Sequence, residues 1–310
     1  MLKRFFRLLP SLISVILLIA SIWVIRQELQ QYERDDIWRH LAAIPRSSVG
    51  WAIALTLLSI LVFTGYDTLA ARYVRHPLPY AQTALAAATS IPVSNSVGLA
   101  LFSGSAIRYR FYAAWEVAPV KIAQIIAFCN LSFWLGLFSV GGFLFLIQPI
   151  EIPTSLHLPV QSTQPLGVIF LSVVVSYVLW NVFSQTRLQQ GRMMIPQVPM
   201  NLCIGQIAVS SLDWTLAATV LYVLLPTHAS VPYAAYFGIY LLAQFAGVVS
   251  NIPGGLGVFE TVMLLLLRSV TPSSALFGSL IAYRVVYYLL PLGIAALLVA
   301  GYEVYSRQID

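Results

Sequence analysis

The chain has 310 residues, 59% of them hydrophobic and only 9% charged, against about 25% charged in an ordinary soluble domain. Its mean hydropathy is +0.83, and surface-to-volume scaling leaves a soluble fold of this size no way to hide so much apolar surface. A soluble enzyme, a secreted disulfide scaffold and a disordered chain are excluded, and the composition points to an all-α polytopic membrane protein.

A helix needs about 20 apolar residues to cross the hydrocarbon core. By that measure the chain holds about six full crossings, at 8–25, 50–71, 119–147, 165–184, 202–225 and 274–304. The first follows Lys3, Arg4 and Arg7 and lacks a small-residue cleavage site, so it reads as a retained helix rather than a signal peptide. Two further apolar stretches, 80–103 and 233–267, are interrupted near their middles by Ile91-Pro92-Val93-Ser94-Asn95 and by Val249-Ser250-Asn251-Ile252-Pro253-Gly254-Gly255. Irregular backbone persists at membrane depth only where protein or a water-filled cavity surrounds it, so both stretches are expected to be re-entrant hairpins. Residues 26–49 carry four Arg and four acids and read as an amphipathic loop or interfacial helix.

The net charge of +6 lies mostly in short loops between apolar runs. That is the pattern of topology signals and contacts to anionic lipid, not of nucleic-acid binding. With the N-terminus inside, eleven basic residues fall in cytoplasmic loops and five in outer loops, with Arg284 intramembrane. Both termini are therefore expected in the cytoplasm of a bacterial plasma membrane protein. Each half, 1–164 and 165–310, then reads span, span, hairpin, span within one membrane domain. An odd number of spans makes the halves an inverted repeat. Two short strings recur in corresponding elements: Val93-Ser94-Asn95 as Val249-Ser250-Asn251, and Thr68-Leu69-Ala70-Ala71 as Thr215-Leu216-Ala217-Ala218.

The second interruption continues as Leu256-Gly257-Val258-Phe259-Glu260. Pro253 ends one helix, Gly254 and Gly255 permit positive φ, and a new helix is expected near Leu256. Its first N–H groups lack intrahelical partners and sit at the positive end of the dipole, so they suit a phosphate or carboxylate. The plainer reading is a kink closed by glycine packing. The first hairpin leads into Ser103-Gly104-Ser105-Ala106-Ile107-Arg108-Tyr109-Arg110-Phe111-Tyr112. Arg108 and Tyr112 share a helical face, and Arg offers phosphate a planar fork; an ordinary positive-inside loop is the alternative. Asp67, Asp213, Glu260 and Arg284 fall inside apolar spans, where each costs at least about 2.5 kcal/mol and needs a partner or a role. Structural pairing of Glu260 or Asp213 with Arg284, proton coupling, and countercharge for a cationic headgroup all remain open. Asn130, Asn181 and Gln244 read as interhelical hydrogen-bond glue.

Cys129 and Cys203 form no CxxC motif, and the four histidines belong to no metal-ligand spacing, so neither a metal nor a cofactor is expected. No GxxxxGK[ST], HExxH or GxSxG occurs, which argues against an enzyme acting alone.

At these motifs the chain resembles the membrane flippase domain of lysylphosphatidylglycerol synthases, the MprF-like family, and their stand-alone membrane relatives. The resemblance rests on Ser94-Asn95, on the run from Ser103 to Tyr112, on Ser211-Leu212-Asp213-Trp214, and on the run from Asn251 to Glu260. The family usually has Gly-Gly where this chain has Gly104-Ser105. Full synthases add a further membrane portion and an aminoacyl-tRNA-dependent transferase domain, which this sequence does not contain. The resemblance implies a helical bundle with paired re-entrant segments and a cavity for a phospholipid headgroup, and it is compatible with a homo-oligomer.

The leading expectation is a phospholipid flippase or scramblase, for aminoacylated phosphatidylglycerol or another phospholipid, passive or ion-coupled. Ser94, Asn95, Arg108, Arg110, Tyr112, Asn251, Pro253, Gly254, Gly255 and Gly257 would meet the headgroup, and Asp213, Glu260 and Arg284 would handle charge or protons. A small-anion transporter and a non-catalytic subunit docking a separate lipid synthase are the alternatives.

Overall fold

The computed structural model describes residues 34–76, 78–97, 100–151, 161–183, 197–226 and 231–306. Among them the secondary structure is helical apart from one isolated bridge between Glu151 and Ser162. The helices are α1 (Arg34–Ala43), α2 (Arg46–Tyr73), α3 (Tyr80–Val97), α4 (Ala100–Ala114), α5 (Pro119–Ile147), α6 (Gln164–Phe183), α7 (Met200–Leu224), α8 (Tyr233–Val249), α9 (Val258–Leu267), α10 (Ser273–Tyr283) and α11 (Leu290–Ser306). A 3-10 turn at Pro253–Gly255 precedes α9, and a π-helical segment at Arg284–Leu289 joins α10 to α11.

Among the described residues, five helical stretches are long and apolar enough to cross a membrane: α2, α5, α6, α7 and the run Ser273–Val304. The chain is an integral membrane protein on this ground. These stretches match five of the six expected crossings, and the sixth, 8–25, lies outside the described residues. At about 1.5 Å per residue, the ten-residue α9 covers roughly half of a 30 Å hydrocarbon core.

The first interruption sits differently from its expected position. The helix α3 continues through Pro92 to Val97, and α4 starts at Ala100, so the first break is not at Ile91–Asn95. Proline removes one N–H, but a helix at membrane depth gains nothing by unwinding where no water can replace its bonds. The second break runs from Ser250 to Gly257, where it was expected, and α9 starts at Val258, two residues beyond Leu256. Three glycines with positive φ lie in it, Gly254 (59°), Gly255 (60°) and Gly257 (83°), together with Asn251 (55°).

The chain forms two compact units. One comprises Met1–Leu58, Thr89–Ala106 and Leu216–Asp310; the other comprises Ser59–Ala88 and Ile107–Thr215. Within the second, α2 and α7 run antiparallel: Ser59 bonds Asp213, Gly65 packs on Val209, and Leu69 packs on Gly205. Small residues bring the other backbones together, as expected where lipid supplies no hydrophobic drive between helices. A Cβ on Gly136 of α5 would lie 2.6 Å from the Ser210 carbonyl carbon of α7.

The helix order α2–α3–α4–α5 recurs as α7–α8–α9–α10/α11. In the second unit Thr64 Oγ1 and Tyr80 Oη tie α2 to α3 at 2.9 Å. In the first unit Thr219 Oγ1 and Tyr233 Oη tie α7 to α8 at 2.8 Å.

Substituting Gly136→Val forces the α5 and α7 backbones apart and is expected to cost about 1–3 kcal/mol. Thermal unfolding in detergent should register that loss. Gly50→Ala, whose added Cβ meets nothing within 4 Å, should leave the transition unchanged or raise it.

Candidate functional site

Two carboxylate–arginine centres stand out, one in each unit. In the second unit, Asp67 on α2 is 0% exposed and Arg108 on α4 is 4% exposed. Arg108 Nε donates to both Asp67 oxygens at 3.0 and 3.2 Å, and Nη2 donates to Oδ2 at 2.9 Å. One turn along α4, Tyr112 Oη donates to Asp67 Oδ1 at 2.9 Å. The i,i+4 face read from the sequence is thus real, and it faces a carboxylate supplied by the chain itself. Arg110, two residues from Arg108, is exposed and does not share that face.

Asp213 on α7 accepts hydrogen bonds from Tyr66 Oη at 2.9 Å and Ser59 Oγ at 3.3 Å. It lies in the second unit, and Arg284, the intramembrane arginine that the sequence offers it as a partner, pairs instead with Glu260 in the first.

The first unit builds its centre around the break before α9. Glu260 is the third residue of α9, and its Oε2 accepts the Gly257 N–H at 2.7 Å, so the carboxylate caps its own helix. Glu260 Oε1 accepts from Arg284 Nε at 2.7 Å, and Arg284 Nη2 lies 2.7 Å from the same oxygen. Arg284 Nη1 donates to the Gly254 carbonyl at 2.6 Å. A single guanidinium therefore braces both the helix start and the turn that precedes it. Its face lies 4.5 Å from the Tyr288 ring centroid and 5.5 Å from that of Phe259, close enough for cation–π attraction.

The break is closely packed. A Cβ on Gly254 would lie 3.3 Å from the Asn95 carbonyl oxygen, which brings the end of α3 to this turn. A Cβ on Gly255 would lie 3.1 Å from Gly247 Cα of α8. Positive φ and close approach both favour glycine at these two positions. Asn251 is exposed, and its Nδ2 donates to the Val249 carbonyl at 3.3 Å. In the same unit α3 and α4 approach so closely that a Cβ on Gly104 would collide with Ser94 Oγ. The structure thus gathers Asn95, Gly254, Gly257, Glu260 and Arg284 at one break, while Arg108 and Tyr112 belong to the Asp67 centre.

Sequence reasoning missed the aromatic surround. Tyr240 and Tyr283 share a hydroxyl–hydroxyl hydrogen bond of 2.7 Å, and Gln244 Nε2 donates to Tyr240 Oη at 3.0 Å and Tyr288 Oη at 3.4 Å. Tyr283, Tyr287 and Tyr288 flank Arg284 in the sequence; polar-tipped rings crowded around an intramembrane arginine were the available signal. The π-helical segment that starts at Arg284 carries no sequence mark. Its i→i+5 bonding is frequent at functional sites. Gln244 is polar glue as expected, with one bond reaching the π segment. Asn181 works instead mainly at a helix end, where its Oδ1 accepts the Val198 N–H at 2.9 Å.

Truncating one partner of a buried pair strands the other charge, at a cost of about 3–5 kcal/mol. Arg108→Ala is therefore expected to destabilise the protein by that amount. The double replacement Asp67→Leu/Arg108→Met should recover most of it, because both charges leave together. Chemical unfolding in detergent compares the two. Equal losses from the single and the double variant would mean that the pair's charges are not what holds α2 to α4.

No family model matches the chain. It is 44% identical over 302 residues to the uncharacterized protein slr0712 of Synechocystis, covering 97% of this chain and 94% of that protein. It is 27% identical over 297 residues to the inner membrane protein YbhN of Escherichia coli, covering 93% and 91%. It is also 26% identical over 305 residues to the phosphatidylglycerol lysyltransferase of Staphylococcus xylosus, covering 96% of this chain but only 34% of that enzyme.

Proposed function

The chain belongs to the same family as the Synechocystis protein slr0712, and from that premise we propose that it is a plasma-membrane phospholipid translocator, a flippase or scramblase. The observation that carries this reading is the buried Glu260–Arg284 pair at a helix break inside an otherwise apolar chain. Membrane proteins keep such charges where a polar substrate must pass. Phosphatidylglycerol, named in the relative that this chain matches along a third of its length, gives the substrate class: a phospholipid, with an aminoacylated headgroup as one form.

In this reading the headgroup phosphate meets the Arg284 fork and the α9 N–H groups, and Glu260 makes way for it. A carboxylate already bound by an arginine fork and a helix N-terminus has the bonding pattern of a phosphate. Glu260 then neutralises Arg284 when no lipid is present and offers a countercharge to an amine-bearing headgroup. Asn251, Pro253, Gly254, Gly255 and Gly257 shape the turn, with the Asn95 carbonyl across from it at the end of α3 and Ser94 packed on Gly104 of α4. Arg108 and Tyr112 hold Asp67 and so anchor α4, and the exposed Arg110 is the headgroup contact at the interface. Asp213, held by Tyr66 and Ser59, stands in reserve as a proton or countercharge group.

Alternation between leaflets would follow from an inverted repeat. The antiparallel run of α2 and α7, the recurring helix order and the two Thr–Tyr bonds support that arrangement, with 80–103 and 233–267 as its re-entrant elements and both termini in the cytoplasm. A second reading draws on coverage: a segment like this chain forms about a third of the lysyltransferases it matches. A chain of this kind could equally serve as the membrane subunit that docks a separate lipid synthase.

The test is reconstitution in liposomes with dithionite-quenchable phospholipids of several headgroups. Glu260→Gln removes a charge-assisted bond worth about 1.5–3 kcal/mol, and transfer should slow by about ten- to hundredfold. Gly254→Val/Gly255→Val should abolish transfer with the protein still inserted. Unchanged rates in Glu260→Gln would remove the break from the path. Uptake of free glycerophosphate without lipid transfer would favour a small-anion transporter, and inertness toward both would favour a docking subunit.

A further inference from the structure

In the first unit the end of α3, the Gly254 turn and the Arg284 guanidinium converge. A Cβ on Gly254 would lie 3.3 Å from the Asn95 carbonyl oxygen, 3.4 Å from Arg284 Nη1 and 3.7 Å from the Ser96 carbonyl oxygen. Ser96 stands in the last turn of α3. Its hydroxyl is buried and has no hydrogen-bond partner among the described residues. Arg284 Nη2 lies 2.7 Å from Glu260 Oε1, yet it too is buried without a hydrogen bond of its own. Two donors from different elements are thus left over at one turn.

Buried polar groups are nearly always bonded, and an exception calls for an explanation. A serine or threonine in a helix has a simple remedy, a bond back to the carbonyl four residues earlier. Thr68, Ser132 and Ser210 take it, bonding the carbonyls of Thr64, Phe128 and Gln206; Ser96 does not. An unbonded hydroxyl costs the fold stability, and proteins keep such costs where function depends on them. A guanidinium has five N–H groups and no acceptor, so only an acceptor completes Nη2. The Ser96 hydroxyl can donate to the same kind of atom. A phosphate oxygen is the acceptor to which such donors bond most strongly.

We propose that Ser96 Oγ and Arg284 Nη2 form a receptor for one non-bridging phosphate oxygen, which the headgroup reading above, on which this rests, supplies as a phosphodiester. The receptor deepens that reading in two ways. The phosphate is met while Glu260 still holds Arg284 Nε and caps α9, so the exchange passes through no state that strands a buried charge. The contact is also to the part that all glycerophospholipids share. Ser96 therefore serves affinity and leaves the choice of headgroup to Glu260.

The experiment uses the full chain in detergent. Calorimetry follows its titration with dihexanoylphosphatidylglycerol, dihexanoylphosphatidylcholine and free glycerol 3-phosphate, and liposome transfer is measured in parallel. Ser96→Ala loses one hydrogen bond to a charged oxygen, so both lipids should bind about ten- to hundredfold more weakly, and by the same factor. Thermal unfolding should stay unchanged or move up. Ser139→Ala removes another buried hydroxyl without a partner, on α5 of the second unit, and should leave binding unchanged. Lipid affinity unchanged in Ser96→Ala overturns the proposal: with lowered stability the hydroxyl is structural, and otherwise it holds a buried water only. A loss confined to one headgroup overturns the assignment to the phosphodiester. Binding of glycerol 3-phosphate that depends on Ser96, without lipid binding, upholds the oxygen receptor and retires the translocator reading. Lipid binding that depends on Ser96 in a wild-type protein that transfers no lipid does the same. Lipid transfer that survives intact in Ser96→Ala overturns the receptor and leaves the translocator reading standing.

Discussion

A charge removed from water has to find its counterpart inside the protein, and in a chain with 9% charged residues few counterparts exist. Asp213 is met by the hydroxyls of Tyr66 and Ser59; among the described residues, the centres at Asp67 and Glu260 answer with an ion pair. Each is a carboxylate held by a single arginine and completed by a second donor, Tyr112 Oη in one and the Gly257 N–H in the other. The desolvation cost of such a pair is offset only when its geometry is good and the remaining lone pairs are bonded. The Asp67 centre comes closer to that condition; at the Glu260 centre Arg284 Nη2 lies beside Glu260 but is buried without a hydrogen bond of its own. Asp67 ties α2 to α4. Arg284 ties the π segment to α9 and to the turn before it.

The two centres differ in what they leave available. Arg108 is enclosed within packed helices, and its partners are side chains of regular helix. Arg284 sits at irregular backbone, where three glycines take positive φ and a carbonyl is held by a guanidinium instead of by a helical N–H. The same side chain is bonded to a helix N-terminus through Glu260 and stacked on Tyr288. Each of these features is costly in a hydrocarbon setting, where a straight helix would satisfy every backbone group without help. Their concentration at one break is the reason to look for function there rather than at the Asp67 pair.

Tight and loose packing are distributed to the same end. Glycine brings backbones into direct contact at Gly136 and Ser210 and at Gly247 and Gly255, which makes those contacts rigid. Along α11 Ala295 is buried while Ala296 and Ala300 are exposed, and Gly293 and Gly301 have nothing within 4 Å of an added Cβ.

The sequence by itself determined the class of protein, since the hydrophobic runs are too long and too numerous for any soluble core. It determined five spans to within a few residues, because a span is a local property of length and hydropathy. The glycine break before Glu260 was legible for the same reason: Pro253, Gly254 and Gly255 act on their own backbone. The stretch Ile91–Asn95, read as a break, is helical, because whether a helix tolerates Pro92 depends on what surrounds it. Pairings were beyond local reading. Asp67 and Arg108 are 41 residues apart, and Glu260 and Arg284 are 24 apart, so the choice of Glu260 over Asp213 for Arg284 was made only when the helices packed. The tyrosine surround and the π segment were decided there too, since a ring's hydroxyl becomes part of a network only once burial leaves it no water to bond.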